Sequence, residues 1–121
     1  MATQEQVNTG TDDTVAVTPK KMKAGFTLFN SSSGRVGYLA FPSWLGSFVI
    51  QWGEVGNSLA DVYTTLPVSF NSNFITVIVC NGYTVDSGKI GCVAASPYGL
   101  GAFVSRGSSE HLGANFIALG R

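Results

Sequence analysis

The sequence predicts an all-β protein, an antiparallel β-sandwich led in by short helical turns, and three observations carry that expectation. From position 26 onward, eight segments rich in β-branched and aromatic residues follow one another. Clusters of Gly, Asn, Ser, Asp and Pro separate them at short intervals, the punctuation of sandwich strands joined by turns. No long stretch carries the 3.6-residue apolar period of a packed helix to compete with this reading.

The elements follow in order. Thr3 is placed to cap a short helix running through Val7, with Glu5 in its first turn, and Asn8-Thr9-Gly10 stops it. Thr18-Pro19 is a second start, with Pro at the first helical position and Lys20, Lys21 and Lys23 following until Gly25. Helices this short are marginal alone and need a surface to pack on. Strands are then expected over 26–29, 36–41, 47–55, 62–70, 74–80, 89–95, 102–106 and 115–119. The turns fall at 30–34, 56–58, 71–73, 86–88, 96–99 and 107–110. This divides the chain into a lead-in, 1–25, and one β-domain, 26–121.

The faces of these strands say more. Leu66, Val68 and Phe70 alternate with Thr65, Pro67 and Ser69, as in a half-buried strand. Phe48, Ile50 and Trp52 share one face, with Val49 and Gln51 on the other. Segment 74–80 is apolar on both faces, so it is expected either at a central position or beneath a protein partner. Charged residues are only 12% of the chain against about 25% in an average soluble domain, and 45% are hydrophobic. Such a surface predicts area lost to partners.

Formal net charge is zero, so the electrostatic footprint of a nucleic-acid binder is missing and no nucleic acid is expected as a partner. Neither a secretory signal nor an apolar run near 20 residues is present, which predicts synthesis in a cytoplasm. Cys80 and Cys92 lack metal or redox spacing and are expected as small buried hydrophobes in strands. With one histidine in all, His111, neither a metal nor any other cofactor is expected.

Catalysis finds little to work with. Glycoside hydrolysis needs two carboxylates at a set separation, and the β-domain offers Glu54, Asp61, Asp86 and Glu110. Ser109-Glu110-His111 contains nucleophilic residue types, but neighbours on an extended chain point to opposite faces and no G-x-S-x-G elbow is present. The expectation is a protein that is not an enzyme.

Two stretches resemble bacteriophage tail fibres. Residues 3–22, with Thr3-Gln4, Val7-Asn8, Gly10-Thr11-Asp12-Asp13-Thr14 and Val17-Thr18-Pro19-Lys20-Lys21, resemble the short segment that joins fibre shaft to tip. Val15 stands where many relatives carry Lys, and Met22 where they carry Leu. Gly37-Tyr38, Phe41-Pro42, Ile50-Gln51-Trp52-Gly53, Leu66-Pro67 with Phe70, and Phe116-Ile117-Ala118-Leu119-Gly120 resemble the C-terminal tip domain across 36–121. The departures, such as Leu66-Pro67 for Phe-Pro, Phe48-Val49 ahead of Ile50, and Phe116-Ile117 where Trp or Tyr usually precedes the terminal Ile-Ala, are apolar exchanges at packing positions.

The resemblance implies a homotrimeric tip domain, intertwined or closely packed, at the distal end of a virion tail fibre made in the host bacterial cytoplasm. Its implied partners are a bacterial surface glycan, lipopolysaccharide above all, or an outer-membrane protein, together with the remainder of the fibre and a tail-fibre assembly chaperone. It also implies structural roles for Trp52, Gly53, Pro67, Phe70 and Gly120, with Trp52 in the core or against a neighbouring protomer. The rival readings are a module that only trimerises or terminates the fibre, and a glycan-cleaving spike.

Recognition then falls to loops on a rigid scaffold. Sugar binding combines an aromatic ring with polar side chains that bond hydroxyls, and charged members bond strongly to acidic substituents. The receptor-binding candidates are Tyr83, Asp86, Tyr98, Arg106, Glu110 and His111. Trp44, between two strands, reads equally as an exposed aromatic or a core plug.

Overall fold

The computed structural model describes residues 1–11, 13–56, 59–83, 85–86, 88, 90–108 and 113–121. In the lead-in, helix α1 spans Gln4–Thr9 and α2 spans Pro19–Ala24. Thr3 and Gln6 form a capping box, side chain to backbone in both directions, and Gly10 closes α1 at φ 67°, a left-handed conformation that glycine adopts without strain. Thr18 caps α2 with Pro19 at its start. Ala2 donates to the Ala16 carbonyl at 2.6 Å, so the lead-in closes on itself.

Eight strands follow: β1 (Thr27–Asn30), β2 (Gly37–Ala40), β3 (Val49–Val55), β4 (Val62–Thr65), β5 (Phe74–Asn81), β6 (Val93–Tyr98), β7 (Ala102–Gly107) and β8 (Ala114–Gly120). They form a five-stranded sheet, β1-β2-β3-β8-β5, and a three-stranded sheet, β4-β7-β6, all pairs antiparallel. The all-β sandwich is therefore as expected.

The core lies between the small sheet and the β3, β8 and β5 half of the large one. Phe103 on β7 is fully buried, with its ring centroid 4.8 Å from that of Phe116 on β8, and Phe70 lies 4.9 Å from Phe74. Gln51 is fully buried as well. Its amide donates to the Val68 carbonyl at 2.7 Å and accepts from the Val68 N–H at 3.0 Å, so one side chain satisfies both backbone groups of an irregular segment.

Glycines in the sheet make room for aromatics. A Cβ on Gly53 would sit 2.6 Å from the Phe116 ring, and one on Gly120 would sit 2.5 Å from that of Phe70. Trp52 covers Gly37, its strand partner on β2, in the same way. The structural roles expected for Trp52, Gly53, Phe70 and Gly120 thus have one cause: each aromatic shields backbone where its neighbour has no side chain.

Several expectations need correction. Segment 62–70 is a strand only to Thr65, because the backbone N–H groups of Leu66 and Phe70 turn to the Gly101 and Leu100 carbonyls; Leu66 and Phe70 nonetheless fill the core. The strand expected over 89–95 is Val93–Tyr98, so Ser96-Pro97 lies in a strand and not a turn. Proline is tolerated there because β6 is an edge strand. Segment 74–80 is likewise an edge strand, not a central one. Cys80 and Cys92 are exposed, not buried. Cys80 follows from alternation: Val77 and Val79 pack on the core, so Ile78 and Cys80 face outward.

Trp44 is not a core plug; it is partly exposed, as the other reading had it. It lies in a 3-10 turn, Ser43–Leu45, edge-on to Phe26 at 6.4 Å, and shares a concavity with Val7, Val17 and Met22. It ties the lead-in to the sandwich.

Candidate functional site

The topology gives the sandwich two unlike ends. At one end lie the lead-in, the connections 41–48, 66–73 and 99–101, and Arg121, whose carbonyl accepts from Ser72 and Asn73 at 2.8 Å each. At the other end lie residues 31–36, 56, 59–61, 82–83, 90–92, 108 and 113.

The second end joins loop stems. Gly82 donates to the Gly113 carbonyl at 2.6 Å, and Ser108 to the Cys92 carbonyl at 2.8 Å. The two polar loops singled out in the sequence therefore start side by side. Tyr83 is exposed and lines an open concavity of about 560 Å³ with Arg35, Glu54, Gly82, Gly113 and Asn115. Arg35 and Glu54 form an exposed ion pair at 3.0 Å. Asp86 sits at φ 64°, a left-handed turn position that Asp tolerates better than most residues. Glu110 and His111 lie outside the described residues.

Tyr98 and Arg106 are brought together on a different surface, the outer face of the small sheet. Phe103, Ser105 and Gly107 point inward along β7, which turns Val104 and Arg106 outward. The ladders place Tyr63 opposite Val104, Ser96 opposite Val104, Ala94 opposite Arg106 and Tyr98 opposite Ala102. The rings of Tyr63 and Tyr98 meet edge to face across the middle strand, 5.1 Å apart at 68°. Arg106 Nε lies 3.4 Å from Asp61 Oδ1. Asp61, Ala94, Ser96, Val104 and Arg106 line a shallow concavity of about 350 Å³.

The sequence reading missed Tyr63, and it weighed Asp61 only as a catalytic carboxylate. The alternation Val62, Tyr63, Thr64, Thr65 carries the signal for Tyr63, since Val62 and Thr64 are half-buried and Tyr63 is exposed. The Asp61 partnership depends on strand register and has no mark in the sequence. Chemically this face offers two aromatic planes and a donor beside an acceptor. Among the described residues, no group of three His, Cys, Asp or Glu lies together to hold a metal.

No protein-family model and no curated protein matches the sequence. Solved structures do. An N-truncated R2-type pyocin tail fibre is 18% identical, with a TM-score of 0.65 over 88% of this chain and 44% of that one. The C-terminal part of the P. aeruginosa R2 pyocin fibre is 18% identical, with a TM-score of 0.64 over 88% and 30%. An N-truncated R1-type pyocin tail fibre is 19% identical, with a TM-score of 0.58 over 88% and 98%. The chain thus spans less than half the length of the R2-type fibres it matches. The tail-fibre resemblance of the sequence is matched in three dimensions: this chain has a fold found in pyocin tail fibres.

Proposed function

We propose that this chain is the receptor-binding tip of a phage-type tail fibre, a homotrimer at the distal end of a virion fibre that binds a bacterial surface glycan, lipopolysaccharide in the first place, without cleaving it. The shared fold with pyocin tail fibres carries this reading. The two ends of the sandwich support it: a shaft joined at the lead-in leaves the opposite end, with Arg35, Tyr83 and Gly113, outermost.

Trimerisation draws support from the outer face of the large sheet. Leu28, Leu39, Ile50 and Leu119 form one row across four strands, and Trp52, Ile117 and Ile78 the next. Leu28, Ile78 and Ile117 are 66%, 64% and 56% exposed. Adjacent apolar rows of this kind are what another protomer would cover. Strand β1 is exposed on both sides, with Leu28 on one and Phe29 on the other. A non-cleaving role is supported by Glu54 and Asp61 each standing beside an arginine on an open surface, with no enclosed cleft around either among the described residues.

The test is adsorption. Purified trimer is expected to bind host cells and their extracted lipopolysaccharide, to compete with phage for attachment, and to leave the polysaccharide at its original length. Loss of binding to both cells and extract would leave only a structural role in the fibre.

A further inference from the structure

We infer that the outer face of β4, β7 and β6 is a docking site for a neutral pyranose glycan, with Tyr63 and Tyr98 as its platform and the Arg106–Asp61 pair as its polar grip. This rests on the receptor-binding reading above and deepens it by giving the sugar class and the place.

The platform comes first. Tyr63 and Tyr98 are 61% and 59% exposed and stand on strands, not loops, each fixing the other edge to face across the middle strand, Tyr63 opposite Val104 and Tyr98 opposite Ala102. An aromatic plane held out in water fits the apolar C–H face of a sugar ring, and its hydroxyl serves the ring's polar edge. Rigid placement limits the ordering entropy that binding must overcome.

The polar grip lies beyond it. Arg106 is two residues along β7 from Val104, the partner of Tyr63, and four from Ala102, the partner of Tyr98, about 7 and 13 Å at about 3.3 Å per residue, room for one sugar ring on the platform and a second toward the grip. The shallow concavity takes in the grip itself with Ala94, Ser96 and Val104, and Val104 is the strand partner of Tyr63. The ion pair engages Arg106 Nε and Asp61 Oδ1. A guanidinium carries five donors and a carboxylate two oxygens, so one contact leaves both with capacity, one to donate to a sugar hydroxyl and the other to accept from its neighbour.

Charge decides between sugar classes. Arg106 alone would favour a carboxylate or phosphate substituent. With Asp61 at 3.4 Å the grip is neutral, and an anion bound to the arginine would meet a carboxylate beside it. Neutral hydroxyls use both partners. A second copy of the chain is a poorer occupant, because this face sets a charged pair and Ser96 beside its apolar groups, whereas the large sheet's outer face carries two adjacent apolar rows, Leu39, Ile50 and Leu119 beside Trp52, Ile117 and Ile78.

The experiment uses full-length protein and O-polysaccharides released from lipopolysaccharide by mild acid, sorted into neutral and uronic-acid-containing sets, immobilised, and read for binding beside whole cells. Wild type is expected to hold neutral polysaccharide. The double variant Tyr63→Ala/Tyr98→Ala and the single Arg106→Ala should each weaken it about tenfold or more. Tyr98→Phe should retain it, Lys23→Ala in the lead-in should leave it unchanged, and Asp61→Asn should shift preference toward acidic chains. Protection of Tyr63 and Tyr98 from nitration by neutral polysaccharide supplies a readout that needs no variant. Wild type that binds cells while the variants bind equally well would overturn this site and leave the receptor reading intact. Binding to acidic chains alone would overturn the sugar class. Wild type that binds neither cells nor polysaccharide would overturn both readings.

Discussion

The two outer faces of the sandwich obey the same alternation and differ in what they turn to water. On the large sheet the outward positions Leu28, Leu39, Ile50, Trp52, Ile78, Ile117 and Leu119 make two apolar rows, bordered by the row of Glu54, Asn115 and Cys80. On the small sheet they are Tyr63, Ala94, Ser96, Tyr98, Val104 and Arg106. Aliphatic rows gain only by leaving water, so they fit another broad apolar surface. Tyrosines and an ion pair keep polar capacity at their tips, so they fit a ligand that remains partly wet. In the proposed tip, one strand plan would separate assembly from recognition by assigning them to opposite sides.

The largest expected effect tests the large sheet. Ile117→Asp puts a charge between Trp52 and Ile78 in the middle of the aliphatic face. In the proposed trimer that charge is buried without a partner, a penalty of several kcal/mol. Light scattering should report monomer or aggregate, while Tyr63→Asp on the small sheet should leave the mass unchanged. Equal behaviour of the two variants would erase the difference between the faces.

Next in size is a change to the core that both faces share. Gln51→Leu conserves volume but strands the Val68 N–H and carbonyl, at about 1–3 kcal/mol for each unsatisfied group. Denaturant unfolding should register the loss, with assembly and binding failing together only as the protein unfolds. A stability change below about 0.5 kcal/mol, the usual range for a surface substitution, would mean water replaces the glutamine.

Gln51 also shows what the sequence made legible. Most strand positions, the turn chemistry of Thr3 and Thr18, and the core roles of Leu66 and Phe70 follow from periodicity and capping, and that of Phe116 from the tail-fibre resemblance. That an inward polar residue would bond the backbone around Pro67 does not, because the partnership crosses from β3 to a segment 17 positions away. Edge placement of Phe74–Asn81 was hidden for the same reason: two-sided apolarity reads alike for a central strand and for an edge strand awaiting a partner. Of the candidate site, Tyr98 and Arg106 were visible as types, while Tyr63 and Asp61 joined them only through the β4–β7 and β6–β7 ladders.

A smaller effect separates the thiols. Cys80 faces outward on β5 beside the aliphatic rows, and Cys92 lies just before β6 next to Ser108. In the assembled protein a thiol reagent should modify Cys92 readily and Cys80 slowly, with both reacting at comparable rates after the Ile117→Asp change. Fast labelling of Cys80 in intact trimer would move the interface away from β5.

The smallest expected effect compares the two ion pairs. Arg35–Glu54 at 3.0 Å borders the large sheet's outer face, and Arg106–Asp61 at 3.4 Å stands on the small one. As exposed pairs each contributes about 0–1 kcal/mol and weakens with salt. The faces should part them. If copies meet on the large sheet, assembly withdraws water from the surroundings of Glu54 and shields its pair from ions, so Glu54→Gln should destabilise the trimer more than Asp61→Asn and lose less of that effect in high salt. Thermal unfolding of both variants at low and high ionic strength reads this directly. Matching salt dependence would mean both carboxylates stay equally wet, and the large sheet would then need a different explanation for its aliphatic face.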